Sequence, residues 1–367
     1  MQEVEWGEYK LGDLFDIENT LSFNKDKLIL GSEYDYVTRT SQNQGVLQET
    51  GFVNQENINK AGTWSLGLLQ MDFFYRDKPW YAGQFVRKIT PKFKLEKSAT
   101  LFLTVALNKQ KSKLLTRLVR DVDETFLNSI IQLPTKNGKI DFKFMESFIT
   151  DLEDGRISNL DAYLMAAGLK DYTLTAEEEQ VLDDFENDKV EQGEFLLGDL
   201  FEKIKTKKLP FKASELPRVP TGSYTLPCLT SSFNNQGLNY FAPKDKATIL
   251  KEVISIPSNS DIYRAYFQSV EFTVLSDAYA IKWVYDDMDL SPNQYLFTVP
   301  CINKVTDLKI YSYKNKLGGW NVARNKHINL PIENNKLDYK TMETLISAIK
   351  KLAIKDVVLY TNKKLGA

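Results

Sequence analysis

The sequence predicts an α+β fold: a tandem duplication of two β-rich domains, each followed by helices that form a spacer. Three observations predict it. The phrase GEYKLGDLF at residues 7 to 15 returns as GEFLLGDLF at residues 193 to 201, 186 positions on. Further likenesses then follow in the same order in both halves, which is the signature of an internal repeat. The length, 367 residues, is more than one ordinary core supports and suits two domains of roughly 150 residues with connecting structure.

The repeat can be followed along the chain. After LGDLF the first copy reaches YVTRTSQNQGV, Tyr36 to Val46, and the second reaches CLTSSFNNQGL, Cys228 to Leu238, at an offset of 192. YAGQFVRKI, Tyr81 to Ile89, is set against LSDAYAIKW, Leu275 to Trp283, on pattern alone. The segment IQLPTKNGKIDFKFMESFI, Ile131 to Ile149, matches INLPIENNKLDYKTMETLI, Ile328 to Ile346, at an offset of 197. An offset that drifts smoothly is what loops gaining a few residues produce.

Each copy reads as short alternating or aromatic-rich strands, closed by a Leu-Pro turn and then a helix. Strand candidates include LFLTVAL (Leu101 to Leu107), EVISIP (Glu252 to Pro257) and QYLFTVP (Gln294 to Pro300). Asp141 and Asp338 stand where an N-cap carboxylate accepts hydrogen bonds from free backbone N–H groups. Beyond these caps, Met145, Phe148, Ile149 and Leu152, and then Met342, Leu345, Ile346, Ile349, Leu352 and Ala353, form one apolar stripe per helix. Either each stripe docks on its own domain, or the two equivalent helices pack on each other as a spacer that also meets other subunits. A further helix, Leu174 to Asp188, opens with a capping box at Thr175 and Glu178. The breaks at Asp154-Gly155-Arg156 and Gly168 predict an interrupted middle helical segment, and the terminal helix is expected to be short. The resulting divisions are residues 1–143, 144–190, 191–337 and 338–367.

Composition narrows the function. The start, MQEVEWGEYK, is acidic where a signal peptide needs a basic stretch, and no run approaches a membrane span, so a cytoplasmic protein with no membrane partner is expected. Cys228 and Cys301 are the only cysteines, too few for a disulfide framework or a thiolate zinc site, and are expected in the core. The single histidine, His327, lies in KHINLPI on an expected strand, where a structural or surface role is the ordinary one. Net charge is only −2, but residues 144 to 191 hold 14 acidic and 3 basic residues, which leaves the rest of the chain basic. That balance fits a solvated acidic helical face as well as it fits a nucleic-acid binder.

Catalytic signatures are missing. There is no G-x-x-x-x-G-K-[ST] or G-x-G-x-x-G phosphate loop, no histidine pair for a metal and no Ser-His or Cys-His couple. Glu8-Tyr9-Lys10 has the letters of a carboxylate nuclease without an upstream aspartate, and the second copy, Glu194-Phe195-Leu196, lacks the lysine. No metal site or cofactor is expected in this chain, which reads as a binder.

The paired loops name a ligand class. Thr38, Arg39, Thr40, Gln42, Asn43 and Gln44 in one copy, and Thr230, Ser231, Ser232, Asn234, Asn235 and Gln236 in the other, are side chains that can make paired hydrogen bonds to base edges. A polar turn with glycine is also how any β-rich domain changes direction. Arg76, Lys78, Trp80 and Tyr81 add a basic and aromatic mix suited to phosphates and sugars, and Asn259 and Arg264 are polar enough for the same work in the second half.

Taken together, LGDLF opening each half, the T-x-x-x-x-x-Q-G loop and I-x-L-P followed by an Asp-aromatic-x-x-Met-Glu helix start make the chain resemble the specificity subunits of bacterial restriction-modification systems, Type I and the related Type IIB kind. The resemblance covers nearly the whole chain. It implies two target recognition domains, each reading one half of a split double-stranded DNA sequence, joined by helices that set the gap. It also implies partner methyltransferase or fused nuclease-methyltransferase subunits, which would bring S-adenosylmethionine and magnesium. The expected broken spacer favours the compact Type IIB-like arrangement. Two other classes stay open: a duplicated β-rich interaction module without DNA binding, and a self-contained nuclease.

Overall fold

A computed structural model describes residues 4–95, 97–117, 119–258, 260, 262–312 and 314–366. The chain divides into two compact units, residues 1–161 with 364–367 and residues 162–363. Each unit contains the same three sheets.

In the first unit, Glu5–Lys10 pairs antiparallel with Ile130–Lys136, which turns back into Lys139–Ile140. A four-stranded sheet runs in the order Phe15–Asn19, Val86–Pro91, Thr63–Gly67, Phe73–Arg76. A third sheet orders Val46–Thr50, Tyr34–Val37 and Trp80–Ala82, the last pair parallel.

The second unit repeats the plan. Gln192–Leu196 pairs with His327–Glu333 and that with Lys336–Leu337. Its four-stranded sheet orders Phe201–Lys203, Ala278–Trp283, Val253–Pro257 and Tyr266–Gln268. Leu238–Pro243, Tyr224–Leu229 and Thr273–Val274 form the last sheet.

The repeated phrase is framework. LGDL is a single helical turn in both units, Leu11–Leu14 and Leu197–Leu200, and both leucines of each turn are buried. The glycine lies against backbone: a Cβ on Gly12 would sit 2.9 Å from the Leu127 carbonyl oxygen, and one on Gly198 3.0 Å from that of Arg324. The turn thereby drops Phe15 and Phe201 into the core, 0% and 1% exposed, each against a tryptophan of its own unit, Trp64 or Trp283. Burying a side chain of this size contributes about 1.5–3 kcal/mol.

Several expectations are corrected. LFLTVAL belongs to the helix Lys97–Asn108 and QYLFTVP to the helix Pro292–Thr306, whereas EVISIP is a strand as expected. Ser291 caps the second of these helices in a capping box with Gln294, with Pro292 at the start of the helix, so a helix signal was present. The Leu-Pro pair is inside a strand. The turn comes after it, at Asn137-Gly138 and Asn334-Asn335, all four with positive φ as a type I′ hairpin requires. Phe15 stands opposite Pro91 and Phe201 opposite Trp283, so Pro91, not Ile89, matches Trp283. A slip of two leaves every side chain on its face, which is why the pattern still matched.

The helices also differ from expectation. Phe142–Ala166 runs unbroken through Gly155, ending before Gly168, and the C-terminal helix Tyr339–Leu365 has 27 residues rather than being short. An interior glycine costs a helix only about 1 kcal/mol, so a single one does not have to break it. Nothing in these helices therefore favours a compact Type IIB-like spacer. The caps at Asp141 and Asp338 hold as expected, accepting from Phe144 N–H at 3.0 Å and Thr341 N–H at 2.9 Å. Of the stripes, Met145, Met342 and Leu345 are buried in their own units' cores, and Ile149 is 9% exposed. Ile346 packs half-buried, while Phe148, Leu152, Ile349, Leu352 and Ala353 are exposed.

Candidate nucleic-acid interface

The T-x-x-x-x-x-Q-G loops have one shape in both units. Asn43, Gln44 and Gly45 take φ values of 45°, 51° and 82°, and Asn235, Gln236 and Gly237 take 48°, 53° and 92°. Three successive left-handed residues, one of them glutamine, is an uncommon conformation that costs of the order of 1–3 kcal/mol per strained residue. The loops close on themselves. Thr38 N–H donates to the Gly45 carbonyl at 2.8 Å, and Thr230 N–H to that of Gly237 at 3.0 Å. Asn43 and Asn235 donate their side-chain amides to the carbonyls of Val46 and Leu238, at 3.1 and 3.5 Å.

Each loop is also pegged from the interior of the four-stranded sheet. The Arg76 guanidinium donates to the Gln44 carbonyl and to Ser65 Oγ, the latter at 2.7 and 2.9 Å. In the second unit Gln268 Nε2 donates to the Gln236 carbonyl at 3.3 Å and to Ser255 Oγ at 2.9 Å. The strain is thus maintained by buried polar bonds, and backbone strain held this way is characteristic of ligand-contacting loops.

The expected contact residues separate into two groups. Arg39, Gln42, Asn43 and Gln44, and Asn234, Asn235 and Gln236, are exposed; Thr38, Thr40, Thr230, Ser231 and Ser232 are half-buried beside them. The second group is framework. Arg76 is 3% exposed and Trp80 and Tyr81 are fully buried, so none presents a face to a ligand. Burial lowers the Arg76 pKa to about 10, partly offset by Asp35 and Asp77, and it stays charged at neutral pH. Trp80 donates to Thr63 Oγ1 at 3.2 Å, and the Tyr81 hydroxyl ties down Val53 and Asn54. Lys78 is already neutralised by Asp35 and Glu49, at 3.1 and 2.6 Å.

Arg264 is paired with Asp307 at 2.7 Å, which raises its pKa, and it is not the counterpart of Arg76; Gln268 is. Asn259 lies outside the described residues. Cys228 is buried with its thiol pushed up to about 12, and Cys301 is half-buried with its thiol at about 11, both through burial. His327 is exposed on its strand.

Some surface groups were overlooked. Arg39 lies over the Phe85 ring at 5.2 Å, and beside it a groove of about 680 Å³ is lined by Lys25, Arg39, Thr40, Leu69 and Gln84. The second loop instead exposes Phe233 at 46%. Lys203 to Arg218 carries six basic residues and one acidic, a charge run visible in the sequence. Lys205, Lys207 and Lys208 in it are exposed and make no ion pair among the described residues. No group of three metal-ligating side chains and no helix long and apolar enough to cross a membrane occurs among the described residues.

Comparison with known proteins agrees with this architecture. No curated protein sequence matches the chain. The crystal structure of the Type I restriction-modification system S subunit from M. genitalium is 15% identical and superposes with a TM-score of 0.59, over 100% of this chain and 93% of that one. The HsdS subunit from Thermoanaerobacter tengcongensis is 10% identical over 98% of this chain and 91% of that one, with a TM-score of 0.30, too low to compare architecture. The family model of the Type I restriction modification DNA specificity domain matches twice, over residues 3–162 and 189–360. With the duplicated sheets, the twin strained loops and two matches spanning nearly its whole length, the chain belongs to the Type I restriction-modification DNA specificity family and carries two such domains in tandem.

Proposed function

We propose that the chain is a non-catalytic specificity subunit that reads a split, asymmetric double-stranded DNA target and docks methyltransferase or fused nuclease-methyltransferase subunits. Each unit reads one half of the target. Arg39, Gln42, Asn43 and Gln44 face one half-site, and Phe233, Asn234, Asn235 and Gln236 face the other. Lys205, Lys207 and Lys208 meet phosphates, which position the protein without carrying sequence information. S-adenosylmethionine and magnesium belong to the partner subunits.

One observation carries this reading: a single strained Asn-Gln-Gly geometry, pegged from inside in both units, is flanked by Arg39, Ser41 and Gln42 in one and by Ser231, Phe233 and Asn234 in the other. A shared scaffold with unlike display is what two readers of unlike half-sites need. The test is selection of bound duplexes from a random pool by the purified chain, with and without a methyltransferase partner, followed by anisotropy at several salt concentrations. A two-part consensus and a steep fall of affinity with salt are expected. Affinity insensitive to both sequence and salt would leave an interaction module instead, and cleavage by the chain alone with magnesium would point to a nuclease.

A further inference from the structure

The two units differ in how one face is covered. In the second unit the helix Ala176–Glu186 packs Val181 and Leu182 on the core and sets Phe185 edge-on to Phe297, ring centres 6.4 Å apart. Its Glu178 is 5% exposed and accepts from Ser347 Oγ at 2.7 Å and Lys351 Nζ at 3.0 Å on the C-terminal helix. In the first unit no helix among the described residues fills the matching place.

The match can be made residue by residue. Asn108 brackets both backbone groups of Phe73, and Asn303 does the same for Ala265, so the helices Lys97–Asn108 and Pro292–Thr306 align with Phe102 on Phe297 and Lys109 on Lys304. Trp6, Phe102 and Phe148 form a run of rings in that order, 6.4 and 6.0 Å apart, along an apolar groove of about 760 Å³. Trp6 is 54% and Phe148 45% exposed, whereas Leu345, the counterpart of Phe148, is 2% exposed.

Charge distinguishes the two faces. Lys351 lies thirteen positions past its capping aspartate Asp338, and the residue thirteen past Asp141 is Asp154, which is exposed. The lysine that holds the resident helix in one unit is therefore a carboxylate in the other.

We infer that the Trp6–Phe102–Phe148 groove of the first unit docks an amphipathic helix of another restriction-modification subunit. That helix places apolar side chains as Val181, Leu182 and Phe185 are placed, and a lysine or arginine, opposite Asp154, where the resident helix has Glu178. The inference rests on the reading that this chain assembles with further subunits. Helix-in-groove docking uses apolar anchors for affinity, and the flanking charge rejects wrong partners.

The test uses the full-length chain and two labelled peptides covering residues 171–190, one unaltered and one carrying Glu178→Lys, read by fluorescence anisotropy. The altered peptide is expected to bind at least about tenfold more tightly than the parent. Asp154→Lys in the protein should reverse that order, a result independent of either peptide's own helicity. Phe148→Asp should abolish binding of both. Absence of saturable binding, or an order that Asp154→Lys leaves unchanged, overturns the inference. So does a concentration-dependent dimer in sedimentation that Phe148→Asp dissolves, because the occupant is then a second copy of this chain. DNA affinity of the same variants is read in parallel: lost peptide binding with intact DNA binding strikes only this inference, and absent DNA binding by the unaltered chain strikes only the proposed function.

Discussion

Gln268 stands in the second unit where Arg76 stands in the first: each crosses from the end of its strand to a buried serine, Ser255 or Ser65, and donates to the carbonyl of the left-handed glutamine in its loop, Gln236 or Gln44. A guanidinium and a neutral amide thus do one job, pinning a strained turn beside an exposed polar surface.

Arg76→Ala removes the bonds to the Gln44 carbonyl and to Ser65 Oγ, leaving that hydroxyl only its contact with the Phe74 carbonyl at 3.5 Å. A loss of about 1–3 kcal/mol of stability is expected, with weakened recognition of the first half-site only. Arg76→Gln should be tolerated, because the second unit already uses glutamine at that place. Urea denaturation and anisotropy on paired half-site duplexes check both.

Arg39→Ala is expected to relax recognition of the first half-site, and Phe233→Ala that of the second, each leaving the other half-site unchanged. Competition between duplexes mutated in one half at a time measures this. Equal losses at both half-sites would refute the assignment of loops to halves.

Replacing Lys205, Lys207 and Lys208 by glutamine should weaken binding to all sequences alike. The plot of log affinity against log salt should become shallower by about one for each phosphate that is no longer neutralised.

Glu178 gives the second unit a pH dependence. Burial by itself would raise its pKa, but hydrogen bonds from the Thr175 N–H, Ser347 and Lys351 outweigh that and bring it from 4.5 to about 2. A carboxylate depressed on folding contributes stability that is fully present above its unfolded value and lost as pH falls through its folded one. Docking of the helix Ala176–Glu186 is therefore expected to weaken between pH 4.5 and about 2. Thermal melts at pH 6 and pH 3 should differ more for the unaltered chain than for Glu178→Gln.

Gly12→Ala and Gly198→Ala each drive a methyl group against a carbonyl oxygen that cannot retreat without moving the segment before the central strand. Each is expected to cost about 1–3 kcal/mol, read as a lower denaturation midpoint. Ala substitution at Gly155, which faces open space in a helix interior, should be neutral or stabilising.

Much of this was legible without coordinates. The positions shared by the two copies proved to be those held by local steric or conformational demands: the buried leucines and close-packed glycine of LGDL, the left-handed Gln-Gly of the loop, the capping aspartates. Periodicity was a weaker guide. LFLTVAL buries Leu103 and Leu107 and exposes Leu101 and Val105, a helical pattern that a seven-residue apolar run cannot display by itself.

The sequence by itself determined that the chain is doubled, where each copy begins and closes, and which loops correspond, because these depend on contacts between near neighbours and on backbone conformations that few residues adopt. Only the tertiary structure decided which polar and aromatic residues face water. Trp80 and Tyr81 are buried because their strand pairs in parallel with Tyr34–Val37, and Arg76 because its strand closes on Thr63–Gly67. The equivalence of Arg76 with Gln268 has no trace in the letters; it exists only once strands distant in the chain are paired in register, since burial is a property of that pairing.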